Sequence, residues 1–184
     1  HHRVLPPRVT TCSLLLSQLA SKDAFLVLRT QQQLGYVVQC GVRSVGRARG
    51  LSVLIQSSVM APAGLESAIE EWIASFRAGF LAELTDEGLA PFRSAMCATL
   101  EEPPRTLAQE AGEVWGEIVE GTHQWAHDRD LAAEVRRVSL EEVRAFFDDH
   151  VARSGKARRK VSSQWWSQKD HAAAEAPSGS ESAA

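Results

Sequence analysis

Leu28-Arg29-Thr30-Gln31-Gln32-Gln33-Leu34-Gly35-Tyr36-Val37-Val38 joins two segments of different periodicity. Before it, residues 11–28 carry Leu14, Leu15, Leu16, Leu19, Phe25, Leu26 and Leu28 with no glycine or proline, which predicts a largely buried helix. After it, Tyr36–Val42 and Leu51–Ser57 are short apolar, β-branched runs separated by the Gly- and Arg-rich residues 43–50, the signature of a hairpin. Gln33 and Gly35 are expected to shape the turn between helix and strand, since glycine permits backbone angles that other residues resist.

Downstream, Pro62 and Gly64 mark a turn, and Leu65, Ile69, Trp72, Ile73, Phe76, Phe80 and Leu84 then recur at helical spacing. Thr85 and Asp86 can cap a further helix to about Leu100, which Pro103 and Pro104 end because proline lacks the amide donor. Residues 106–120 set Leu107, Ala111, Val114, Trp115 and Ile118 on one face, and Ser139 with Glu142 forms a capping box before Val143, Phe146 and Phe147. Both segments are expected to pack on the core. Arg158–Trp166 reads as a final strand returning to the sheet. The order implies an α+β fold, a mainly antiparallel sheet with helices packed on one face. The expected divisions are residues 1–10, an N-terminal remnant or partial edge strand supplied by Arg8–Cys12; residues 11–166, one domain; and residues 167–184, a disordered low-complexity tail.

At 184 residues and 44% hydrophobic the chain has the size of one domain with a sizeable core. A formal charge of -3 gives no general attraction to nucleic acid or an anionic membrane. Cys12, Cys40 and Cys97 are too dispersed for a disulfide framework or a zinc knuckle and suit a reducing compartment. No apolar run approaches the roughly 20 residues that span a bilayer, no targeting signal is visible, and the cytosol is the expected location. The start at His1 without an initiator Met suggests that something precedes it.

The quoted stretch resembles the L-R-T-x-x-Q-L-G-Y-x-V segment in the C-terminal half of pitrilysin-family metallopeptidases of the insulin-degrading-enzyme and nardilysin type, which are inverzincins. Gly50-Leu51 leading to Ile55-Gln56-Ser57, Trp115-Gly116-Glu117-Ile118 and Asp128-Arg129-Asp130 reinforce the match, which covers roughly residues 14–166. The resemblance implies four related domains forming two halves around a chamber that cleaves enclosed peptides, with this chain as the fourth. The H-x-x-E-H signature and its zinc, whose bound water does the hydrolysis, belong to the first domain. This chain has no such signature, so alone it is expected to be inactive and to bind no zinc. His123 and His127 stand at i, i+4 without the glutamate, and a structural role is the better reading; His150 and His171 have no partner pattern.

Carried over from the family, Arg29 and Tyr36 contact substrate near the zinc of the opposite half. A phenol can donate to the oxygen of a scissile carbonyl as charge develops, and a guanidinium adds a fixed positive field. From residue type alone, Arg29 serves equally as a charged helix end and Tyr36 as the first residue of a strand. Arg43, Arg47 and Arg49, and the run Arg153, Lys156, Arg158, Arg159 and Lys160, offer two basic patches; an anion at Arg158, Arg159 and Lys160 is the weaker expectation. Relatives carry polyanion-binding lysines where this chain has Glu101-Glu102-Pro103-Pro104-Arg105, so that regulation is not expected here. The alternative reading is a catalytically inactive binding subunit of the same fold, like the inactive subunits of mitochondrial processing peptidase. A basic-loop RNA or nucleotide binder stands further off, since the aromatic interleaving of a nucleic-acid platform is missing.

Overall fold

A computed structural model describes residues 7–45, 48–120 and 127–167. Helix α1 (Pro7–Ala24) continues without a break into a π-helical segment, Phe25–Gln31. The partial edge strand expected at Arg8–Cys12 is instead the first turns of α1. Thr11, Cys12, Leu15, Leu16 and Leu19 continue one buried helical stripe back to the start, and Arg8 is fixed there by Glu142 at 2.7 Å and Glu134 at 3.1 Å. Within the 24-residue path Arg8–Gln31 an 18-residue window has mean hydropathy 1.2, long and apolar enough to cross a membrane although its apolar run is interrupted. Half of it is buried against the other elements, as a core helix requires.

Strands β1 (Val37–Val45) and β2 (Ala48–Gln56) form an antiparallel hairpin in register from Val37↔Gln56 to Val45↔Ala48. The strands run further than their apolar residues, with Arg43 opposite Gly50 and Ser44 opposite Arg49, because a backbone ladder propagates whatever the side chains are. Val38, Cys40, Leu51, Val53 and Ile55 join the hydrophobic core on one face of the hairpin, while Gln39 and Leu54 on the other are exposed. The helices thus pack on one face of a small antiparallel sheet.

The helix expected over residues 65–84 is two, α2 (Pro62–Ala78) and α3 (Phe80–Glu83), broken at Gly79. Arg144 stabilises α3 from outside, donating to the carbonyls of Leu81, Ala82 and Leu84 at 2.8–2.9 Å. Thr85 Oγ1 accepts from the Gly88 N–H at 3.1 Å and starts α4 (Asp86–Leu100). Helix α5 (Leu107–Glu120) is followed by α6 (His127–Val135) and α7 (Leu140–His150). The capping box on α7 is formed: Ser139 Oγ accepts from the Glu142 N–H at 3.2 Å, and the Glu142 carboxylate accepts from the Ser139 N–H at 2.8 Å.

Two further expectations fail. Helix α5 forms but does not pack on the core: Leu107 is 81% exposed and Trp115 65%, with Val114, Ile118 and Val119 also exposed. Periodicity identifies an apolar face without saying what covers it. Residues 158–167 contain no strand. They lie across α2, where Arg158 meets Glu70 at 2.6 Å and Lys160 meets Glu66 at 2.5 Å and Glu70 at 2.7 Å; Ser162 and Gln164 also donate to Glu66. These charged groups fasten the segment to α2. The low-complexity tail expected after Ser167 lies outside the described residues.

The core centres on Phe76, whose ring lies 5.7 Å from Trp72, 5.5 Å from Phe80 and 5.9 Å from Phe147. Trp72 is buried and satisfies its indole N–H on Asp23 at 2.7 Å. Replacing Phe76 by Ala is expected to cost about 3–5 kcal/mol of unfolding free energy, measured by urea denaturation. The cations of Arg158 and Lys160 hold Glu70 down at about 2, below its ordinary 4.5. A depressed carboxylate stabilises fully above the higher value and loses that contribution as pH falls toward the lower one. The native chain should therefore melt above Glu70→Gln at neutral pH, with the gap closing between pH 4.5 and 2; a gap that persists at the acid end would show that the charge of Glu70 is not the stabilising feature.

Candidate functional site

The exit from the first helix is held from both sides by buried leucines, Leu28 and Leu34. The Gln32 N–H donates to the Val27 carbonyl at 2.9 Å and the Leu34 N–H to the Leu28 carbonyl at 3.0 Å, a widened turn in place of the α-helical ladder. Gln33, and not Gly35, takes the left-handed backbone, at φ 51°. Gly35 is needed for space: a Cβ there would stand 2.2 Å from the carbonyl oxygen of Gln56, at the end of β2. The expectation that Gly35 supplies backbone freedom is thus corrected to one of close approach. Tyr36 follows immediately, one residue before the first rung of the ladder, Val37↔Gln56.

The structure brings Arg29 and Tyr36 together. The Arg29 guanidinium carbon lies 5.3 Å from the centroid of the Tyr36 ring and 4.8 Å from that of Phe25. Each such contact contributes on the order of 0.5–1 kcal/mol at an exposed site. Arg29 also sits in the last turn of its helical segment, where a cation is favoured. Tyr36 is 83% exposed, and among the described residues nothing hydrogen-bonds its phenol. Sequence reasoning missed Phe25, which it counted in the buried stripe; Phe25 and its neighbour Leu26 are 45% and 50% exposed. The available signal was the spacing Phe25-x-x-x-Arg29, which puts ring and guanidinium on one side of a helix.

Exposed π faces orient Arg29 without neutralising it. The arginines of the basic patches differ. Arg158 and Lys160 are taken by Glu66 and Glu70, and Arg159 donates to the Arg158 carbonyl, so the run proposed for an anion is largely compensated within the chain. Arg49 donates to Ser44 Oγ at 3.3 Å, and Arg47 lies outside the described residues. Glu101 is matched by Arg136 at 2.5 Å and Glu102 by Arg105.

No group of three His, Cys, Asp or Glu side chains among the described residues is arranged to hold a metal. His123 lies outside those residues and His127 opens α6. The cysteines are all free. Burial pushes the Cys12 thiol up to about 11 and that of Cys40 to about 12, which keeps both protonated and poor nucleophiles.

Residues 15–115 match the family described as PQQ synthase PqqF-like, C-terminal lobe domain 4. The chain is 30% identical over 152 residues to a nardilysin-like protein of Arabidopsis thaliana, an alignment covering 83% of this chain and 15% of that one. It is 29% identical over 148 residues to the insulin-degrading enzyme of Homo sapiens, covering 80% and 14% respectively. Among solved structures, that of pitrilysin superposes with a TM-score of 0.71 at 25% identity over 79% of this chain and 15% of its own. The chain thus spans about 15% of the length of these relatives. The helix-to-hairpin junction that gathers Phe25, Arg29 and Tyr36 falls inside the matched region, and the chain belongs to the pitrilysin family of peptidases, as a C-terminal domain.

Proposed function

We propose that this chain is the non-zinc, substrate-chamber domain of a zinc metalloendopeptidase that degrades peptides, and that Arg29 and Tyr36 reach a scissile bond held at an active site on an N-terminal half. The observation that carries this reading is the half-buried Arg29 stacked on the exposed Tyr36, on a turn fixed by Gly35 against Gln56. Tyr36 would donate its phenolic hydrogen to the scissile carbonyl oxygen as that oxygen becomes negative. Arg29, held by two rings and, among the described residues, by no carboxylate, would supply a positive field that needs no reorganisation. In this reading the zinc is held by the other half, and the chain alone is inactive. The exposed apolar face of α5 supplies contact surface for the rest of such a protein. The three cysteines, none in a disulfide, support a reducing compartment such as the cytosol.

In a full-length protein carrying this domain, Tyr36→Phe and Arg29→Ala should each lower kcat/KM on a quenched fluorescent peptide by about tenfold to a thousandfold, chiefly through kcat. Unchanged rates in both would sink the assignment. The isolated chain should cleave nothing, and gain chelator-sensitive activity only when mixed with the N-terminal half.

A further inference from the structure

Besides Tyr36, Arg29 rests on a side chain that has no acid, base or hydrogen-bonding group of its own. Phe25 opens the π-helical segment and stands four residues before Arg29. Ala24 and Leu28, also four apart, are fully buried and fix how this stretch is turned against the core. Phe25 and Arg29 each directly follow one of these anchors, so ring and guanidinium share the adjoining line of the helix. The Phe25 ring takes no part in the hydrophobic core, although its neighbours Ala24, Val27 and Leu28 do. The contact it does make is with the Arg29 guanidinium carbon, 4.8 Å from its centroid against 5.3 Å for Tyr36.

A cation at the end of a long side chain is effective toward a developing charge only if its direction is set beforehand, because a group that must reorient gives back much of the stabilisation. Two kinds of partner can set it. A carboxylate holds a guanidinium firmly and cancels its charge, whereas an aromatic face holds it through the ring quadrupole and leaves the charge intact. Of the two rings on Arg29, that of Tyr36 carries the phenol assigned to the scissile carbonyl. Phe25, on a stretch pinned by Ala24 and Leu28, is the half of the clamp with no other task.

We propose that Phe25 is a positioning residue for the reaction: the face of its ring directs the Arg29 guanidinium at the scissile bond, and the site requires a π face at this position and not merely apolar volume. This rests on the reading that Arg29 acts on a bound peptide, and deepens it by naming what aims that cation.

The test compares three replacements in a full-length protein carrying this domain, cleaving a quenched fluorescent peptide. Phe25→Leu should lower kcat by about threefold to tenfold with KM changed by less than about twofold. A ring-fluorinated phenylalanine at this position, which keeps the shape and weakens the face, should do the same and so separates a lost face from lost packing. Phe25→Glu can pair with Arg29 four residues on and neutralise it, and should lose about tenfold or more. In an Arg29→Ala background the leucine and fluorinated replacements should have no further effect, since two groups acting through one interaction are not additive. Independently of cleavage, NMR of the 184-residue chain should show Arg29 side-chain protons shifted upfield by the rings, with part of that shift lost in Phe25→Leu. Native kcat in Phe25→Leu or in the fluorinated protein, native kcat in Phe25→Glu, equal losses with and without Arg29, or an Arg29 shift indifferent to Phe25 each overturns the proposal. Failure of the functional reading looks different: Arg29→Ala then cleaves at the native rate while the Arg29 shift still depends on Phe25.

Discussion

The buried face of α1 is the constraint on which the other elements depend. Leu15, Leu16, Leu19, Ala20 and Ala24 are essentially without solvent exposure, and β1, α4, α6 and α7 all rest against this helix. Removing a leucine side chain from water contributes about 1.5–3 kcal/mol, so this face supplies a large part of the drive to assemble elements far apart in sequence. Its last turns widen into the π-helical segment, and Leu28, buried at its base, fixes the point at which the chain leaves the core. The position of Arg29 is therefore a consequence of how α1 is packed.

Around that core, charge serves two different purposes. Arg77 grips Asp148 with two hydrogen bonds of 2.7 and 2.8 Å, Arg144 closes the end of α3, and Arg158 and Lys160 fasten the last described segment to α2. Each of these cations is consumed by a carboxylate or by backbone carbonyls. Exposed pairs of this sort add little individually, and their main effect is to set which surfaces meet. Arg29 is held instead by the faces of two aromatic rings, which restrain its direction and leave its charge available. A guanidinium positioned this way is suited to act on an external negative charge.

Apolar surface is distributed unevenly. The interior is filled by the rings around Phe76 and the leucines of α1, while α5 presents its whole apolar stripe to solvent, and Val161 and Trp165 are nearly fully exposed. Large contiguous apolar patches are uncommon on self-contained monomers. The chain spans about 15% of its relatives, and such a stripe fits the place in a larger peptidase proposed for it.

Local patterns settled the identity of most elements. The leucine spacing before Arg29 specified the first helix, alternation after Gly35 specified the hairpin, Ser139 with Glu142 specified the start of α7, and Thr85 specified that of α4, because caps, turns and periodicity act within a few residues. The turn bearing Arg29 and Tyr36 was legible for the same reason. Tertiary structure alone decided what those elements meet. It gave Arg8 to carboxylates on α6 and α7 and so kept α1 helical from its start, moved Phe25 from the expected core to the Arg29 site, left α5 uncovered, and directed residues 158–167 to Glu66 and Glu70 in place of a sheet edge. Each outcome depends on a partner dozens of residues away or on the lack of a covering surface, and neither can be encoded in the spacing of neighbouring side chains.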